Sequence, residues 1–288
     1  MTVAVTGATG HLGRLAVEAL LQRGAPASDI VATGRSTDRL SDLADRGVVV
    51  RRADYDDPAS LAQAFAGVDR LLLVSGSEVG SRTRQHAAII DAAAAAGVGF
   101  VAYTSIAHAD TSTLLLAEEH RATEQLLAGS GIPYALLRNS WYVENYTGQL
   151  PVHLEHGIAG AAGDGRVSAA VRADYAEAAA VVVGAPDEHA GRTYELGGAP
   201  FTMQELAEVV SRATGRTVTY TDLPVEAYTQ VLVGAGLPEP VAAVYADGDR
   251  GVADGELLVD PGDLERLLGR PATSLEDAVS AAVAALRD

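Results

Sequence analysis

The chain has 288 residues, is 48% hydrophobic and carries a net charge of −17, enough for one large domain or a core domain with a smaller lobe. That charge disfavours contact with nucleic-acid phosphates or anionic lipid, and the lack of cysteine excludes disulfides, thiol chemistry and thiolate metal sites. No apolar run approaches the roughly eighteen residues of a membrane span, and a strand starts almost at once, leaving no room for a signal peptide, so a cytoplasmic protein without a membrane span is expected.

In chain order, short apolar runs predict strands at Val3–Thr6, Ile30–Thr33, Val48–Arg51, Arg70–Val74, Phe100–Tyr103 and Tyr134–Leu137. Helical patterns lie between them near 11–23, 38–46, 58–66, 81–96 and 113–129. This alternation predicts an α/β fold, a Rossmann-type doubly wound parallel sheet. Asp56 or Asp57 is placed to cap the helix starting at Pro58. After about residue 140 the rhythm changes. A glycine-rich stretch, Gly157–Gly165, precedes a helix near 174–184 that Asp174 is expected to cap. A strand at Thr193–Leu196, a helix opened by the capping box Thr202-x-x-Glu205, a strand at 217–221 and a helix after Ser274 complete the pattern. Residues 1–150 read as the dinucleotide-binding domain. Residues 151–288 read as a smaller α/β lobe on the substrate side, with segments near 166–200 returning to the main domain.

The segment Gly7-Ala8-Thr9-Gly10-His11-Leu12-Gly13 follows the first strand and opens the first helix. Glycines at 7, 10 and 13 leave bare backbone where a dinucleotide pyrophosphate rests on a helix N-terminus; an ordinary tight turn is the alternative. At the end of the second strand, where Asp or Glu usually grips the ribose of NADH, the chain has Arg35. A guanidinium suits a 2′-phosphate, so NADPH is the expected cofactor. Asp54, after the third strand, is placed to reach the adenine amino group. Ser75, Gly76 and Ser77 end the fourth strand over the middle of the cofactor, where small residues let the backbone approach closely.

The segments Thr6–Gly10, Ser77-Glu78-Val79-Gly80, Gln85-His86, Tyr103-Thr104-Ser105, His108–Ser112, Leu136–Asn139, Trp141–Tyr146, Gly160–Gly165 and Arg172–Tyr175 together resemble the NmrA-like atypical branch of the short-chain dehydrogenase/reductases. Within that branch the chain is similar to bacterial type 2 NADPH:quinone oxidoreductases over nearly its whole length. Gly76 stands where a serine is common and Ser140 where a glycine is common. The resemblance implies two-electron reduction of a quinone by NADPH. It also exposes an absence. The superfamily's active site carries Ser and Tyr-x-x-x-Lys, but here the tyrosine position is Leu116 and the lysine position His120. All 21 Lys/Arg residues are arginine. Reducing a plain ketone creates an alkoxide that needs a positioned acid, help worth roughly 10²–10⁴ in rate. A quinone yields a phenolate-like anion spread over a ring, and needs that acid less.

Asn139 to Asn145 follows the sixth strand, at the carboxyl end of the sheet where ligands bind in this architecture. Asn139 is expected to hold the nicotinamide carboxamide. Trp141 and Tyr142 offer faces for a quinone ring, although core packing also explains a lone tryptophan. Asn145 and Gln85 are candidates for the quinone oxygens, and Tyr103, with Ser105 beside it, for a weak proton donor. His120 reads either as a partial stand-in for the lysine or as a satisfied helix histidine. His153 and His156 lack a third ligand in pattern, so no metal is expected. The alternative to a quinone oxidoreductase is a non-catalytic NADPH-binding redox sensor acting through a protein partner; a reductase of an enone or azo acceptor is a third reading. A homodimer is compatible with all of them.

Overall fold

A computed structural model describes residues 1–78 and 80–286; Val79, quoted in the resemblance above, lies outside the described residues. The first half alternates β1 (Val3–Val5), α1 (His11–Gln22), β2 (Ile30–Gly34), α2 (Ser41–Asp45), β3 (Val49–Arg52), α3 (Pro58–Phe65), β4 (Arg70–Leu73), α4 (Arg82–Ala96), β5 (Phe100–Ile106), α5 (Leu115–Gly129) and β6 (Tyr134–Asn139). Then come α6 (Glu144–Thr147), α7 (Leu150–His156), β7 (Ile158–Gly160), α8 (Arg172–Gly184), α9 (Pro186–His189), β8 (Thr193–Leu196), α10 (Met203–Thr214), β9 (Tyr220–Asp222), α11 (Val225–Gly234), α12 (Glu239–Ala253), α13 (Gly262–Leu268) and α14 (Leu275–Ala285).

The seven-stranded sheet has the order β3-β2-β1-β4-β5-β6-β8, and every pair in it is parallel. Parallel strands need both faces covered, which is why β1, β2 and β5 are buried at every position. One face packs α1, α8 and α13 through Val17, Leu20, Ala179, Val183 and Leu264. The other packs α3, α4 and α5 through Leu61, Phe65, Ile89 and Leu127. The chain order reverses direction between β1 and β4, the switch point at which such sheets bind ligands beyond their carboxyl ends.

β8 brings residues 193–196 back to the sheet beside β6, and α8 packs on α1. The remaining elements form a lobe with its own core, including Leu150, Ile158, Phe201, Leu206, Val252 and Val279, and a two-stranded sheet in which β7 pairs with β9. The capping box on α10 forms as expected: Thr202 Oγ1 accepts from the Glu205 N–H, and the Glu205 carboxylate accepts from the Thr202 N–H.

Of the two acids offered as the cap of α3, Asp57 takes the role, accepting from the Ala59 and Ser60 N–H groups. Three expectations need correction. Asp174 does not cap α8, which starts two residues earlier; the carboxylate turns aside to accept from Thr273 N–H and Arg270, tying the C-terminal segment to α8. β5 runs three residues past Tyr103, because β6 continues beside it to Asn139 and pairs Ile106 with Asn139. The helical pattern near 38–46 is a 3₁₀ turn, Thr37–Leu40, followed by the short α2. Among the described residues no helix is long and apolar enough to cross a membrane.

Candidate active site

The glycine turn is closed to side chains. Gly7 adopts a left-handed φ of 60°, open to glycine at no steric cost. A Cβ at Gly13 would overlap the Gly7 carbonyl, and a Cβ at Gly34 would overlap the Thr9 side chain. Gly10 caps α1 with no side-chain hydrogen bond, and no acidic residue stands in the helix's first turn. The N–H groups at 11–13 thus form an uncapped positive end. Thr9, Gly10, exposed His11, Arg14 and Arg39 line an open cleft there, while Ala8 and Leu12 are buried beneath it. Arg39 is a cation that the sequence reading passed over.

Arg35 leaves the end of β2 with its side chain largely exposed and pairs with Glu78 at 3.0 Å. Glu78 also accepts from Gln85 Nε2 at 3.0 Å, so Gln85, itself buried, spends its donor end on the loop after β4. Tyr55, unnoticed in the sequence, sends its hydroxyl within 3.9 Å of where a Gly7 side chain would stand; burial raises its pKa above the usual phenol value. Both carboxylate oxygens of Asp54 are engaged, Oδ2 by Arg52 at 2.9 Å and Oδ1 by the Asp56 N–H at 3.2 Å.

The loop at Ser75–Ser77 is held from below. Thr104 Oγ1 accepts from the Ser75 N–H at 2.9 Å. The Gly76 carbonyl accepts from Arg82 Nε at 2.8 Å, and the Gly76 N–H donates to His86 Nε2 at 3.0 Å. Because that nitrogen accepts, the proton of His86 sits on Nδ1 and is donated to Thr123 Oγ1 at 2.9 Å. Burial holds the His86 pKa down to about 3, with the Arg82 charge adding to the effect, so the imidazole is neutral. Arg82, nearly fully buried, also pairs with Glu119 at 3.1 Å. Ser77 stays exposed.

Tyr103 is corrected. Its ring is wholly buried and its hydroxyl meets His120 Nδ1 at 2.7 Å. Burial pushes its pKa above the usual phenol value, with a hydrogen bond from Thr123 opposing. It is a core group beneath the sheet's helical cover and is not placed to give a proton to a ligand. Ser105 is withdrawn too, donating to Glu124 at 2.6 Å within the Arg138–Glu124 pair. His120 is buried, and burial drives its pKa well below the usual imidazole value. A neutral imidazole is no substitute for an ammonium.

At the end of β6, Asn139 is buried and, among the described residues, its Oδ1 has no hydrogen-bond partner. A buried carbonyl oxygen without a donor is costly, and this one lies at the sheet's carboxyl end, where the carboxamide of a bound nicotinamide has the N–H group it lacks. With the closed glycine turn and uncapped α1, it makes these residues fit a dinucleotide. Ser140 donates to the Leu257 carbonyl at 2.7 Å. Trp141, half-buried, rests its ring edge against Gly248 of α12. Tyr142 meets Tyr175 edge-to-face at 5.5 Å, and the Arg172 guanidinium lies 4.7 Å over its ring, so one face is already covered. Half-buried Asn145 accepts from Arg172 through Oδ1 at 2.8 Å. Arg82 and Arg172 were missed as site residues. Both begin helices, where the dipole disfavours a cation, and that position was the available signal.

Residues 1–247 match the model of the NmrA-like family. This chain belongs to the NmrA-like family. The NmrA-like chain is 49% identical over 280 residues to quinone oxidoreductase 2 of Escherichia coli strain K12, covering 96% of this chain and 97% of that one. It superposes with a TM-score of 0.94, at 48% identity and covering 97% and 99% of the two chains, on the crystal structure of an NADPH-dependent quinone oxidoreductase from Escherichia coli complexed with NADPH. A triphenylmethane reductase of Citrobacter sp. complexed with NADP(H) matches at 40% identity and a TM-score of 0.91, covering 98% and 100%.

Proposed function

We propose that this NmrA-like protein is an NADPH:quinone oxidoreductase that transfers two electrons directly, without a Tyr-x-x-x-Lys relay. The observation that carries the reading is a nucleotide site in which Tyr103 and Ser105 of β5, the two candidate proton donors, are both turned into the protein, within a chain 49% identical to a quinone oxidoreductase. NADPH, when bound, supplies the hydride. Gly7–Gly13 and the start of α1 hold its pyrophosphate; Ala8 and Leu12 pack the turn from beneath. Arg35 exchanges Glu78 for the 2′-phosphate, and the Ser75-Gly76-Ser77 loop covers the middle of the cofactor. Asp54 sits at its adenine end. Asn139 Oδ1 accepts from the carboxamide. Trp141 and the open side of Tyr142 bound the acceptor ring, and Asn145 donates to one of its oxygens, with Gln85 near the other side of the site.

The acceptor carries its own negative charge after hydride addition and takes its proton from solvent, which a plain ketone does poorly. The acidic surface leaves a second copy or a protein partner, not nucleic acid, as the macromolecular contact. The test follows NADPH absorbance on mixing with benzoquinone or menadione. Acceptor-dependent oxidation supports the enzyme. NADPH binding with no oxidation by any quinone overturns it in favour of the redox sensor.

A further inference from the structure

Arg172 is the first residue of α8, and its place is built from three directions. Its backbone N–H donates to both Glu144 carboxylate oxygens, at 2.8 and 3.1 Å. Its guanidinium lies 4.7 Å over the Tyr142 ring. Its Nη2 donates to Asn145 Oδ1 at 2.8 Å. The side chain is four-fifths buried, with the Glu144 carboxylate 3.8 Å away. A guanidinium has five donors and no acceptor. The Asn145 atom it meets is therefore the oxygen, and the amide cannot turn round while that contact lasts. The two N–H groups of Asn145 are left facing away from Arg172, and the described residues offer them no acceptor.

We propose that Arg172 is a positioning residue for the reduction: it locks Asn145 with its donor end toward the acceptor oxygen and places a fixed positive charge behind that donor. The inference rests on the reading of Asn145 as the acceptor contact. Chemically it answers the missing lysine. In net terms the C4–H bond of the dihydronicotinamide breaks and its hydride, two electrons with one proton, passes to the quinone, giving NADP⁺ and the hydroquinone monoanion; a second proton from water then gives the hydroquinone. Between those events the oxyanion needs a donor, and an amide whose oxygen is held by a guanidinium is a stronger donor than a free one. Unlike a tyrosine, it gives up no proton and needs none returned.

The experiment uses the full chain with NADPH and menadione, and compares Arg172→Met, Arg172→Lys and Asn145→Asp. Four quantities are read: kcat, the menadione KM, the NADPH Kd from cofactor fluorescence without acceptor, and the thermal midpoint. Arg172→Met is expected to lower kcat about tenfold, the value of one charge-assisted hydrogen bond, with NADPH Kd unchanged. Arg172→Lys, which keeps the charge and a donor, restores most of that loss. Asn145→Asp still pairs with Arg172 but has no N–H, and loses about 100-fold in kcat. A wild-type kcat and menadione KM in Arg172→Met overturn the proposal, as does a loss of kcat matched by an equal loss of NADPH binding, or a lysine variant no better than methionine. Wild-type protein unable to oxidise NADPH with any quinone overturns the functional reading and this inference with it; an active wild type with an unaffected Arg172→Met overturns this inference alone.

Discussion

At Arg35 a largely exposed guanidinium shares its carboxylate partner, Glu78, with Gln85. An exposed pair of this kind contributes little stability, so exchanging Glu78 for a phosphate costs little. Charge-assisted contacts to a 2′-phosphate are worth about 1.5–3 kcal/mol. Arg35→Asp is therefore expected to raise the Michaelis constant for NADPH about 10- to 100-fold while changing that for NADH far less. Steady-state kinetics with both cofactors checks this, and equal effects contradict it. His120 makes the opposite case. Its ring is buried against the Tyr103 hydroxyl, so His120→Ala strands a buried phenol and is expected to lose about 1–3 kcal/mol of stability in denaturant unfolding with kcat unchanged. A tenfold fall in kcat at unchanged stability would return His120 to the reaction.

Element by element, the sheet was the most readable part of the sequence. Buried parallel strands are apolar on both faces, and the turns after them carry the glycines the cofactor requires. The pairings that shape the site were not readable. Arg172 reaches Asn145 across 27 residues, and Arg82 reaches Glu119 across 37; a side-chain partner that distant leaves no local spacing. Tyr103 misled because its position at a strand end says nothing about which face it occupies. α11 and α12 went unforeseen because both are half-exposed and apolar, with prolines at 238 and 240 interrupting the pattern. α12 is fastened to the lobe by Asp249, whose Oδ2 accepts from the Ala161 N–H at 2.8 Å beside Tyr220 and Asp222. Burial raises the Asp249 pKa to about 6, Asp222 adding and the Ala161 N–H opposing. The folded protein holds this proton more tightly than the unfolded chain, whose aspartate titrates near about 3.9. The stability it contributes is full below about pH 4 and is lost as pH rises through about 6. Asn at this position still accepts from Ala161, so Asp249→Asn is expected to match wild type at pH 4 and to unfold at a higher temperature at pH 8. Parallel wild-type and variant curves across that range, read by calorimetry, would contradict the assignment.

As a whole molecule, the NmrA-like chain keeps a dinucleotide-binding architecture, and the function proposed above has it work without the Tyr-x-x-x-Lys acid. By the resemblance, Leu116 and His120 fall at the relay positions; of the β5 hydroxyls, Ser105 faces Glu124, Tyr103 faces His120 and Thr104 supports Ser75. What remains at the carboxyl end of the sheet is a set of hydrogen-bond donors and acceptors that hold and orient without giving up protons: Asn139, Asn145 and Arg172. Such a site favours acceptors that stabilise their own charge. The measurement that tests this most directly compares kcat/KM for NADPH oxidation by a series of quinones with that for simple ketones and aldehydes on the same protein. The account predicts quinone turnover exceeding carbonyl turnover by at least the roughly 10²–10⁴ that a positioned acid supplies. Carbonyl turnover comparable to that of quinones would contradict it.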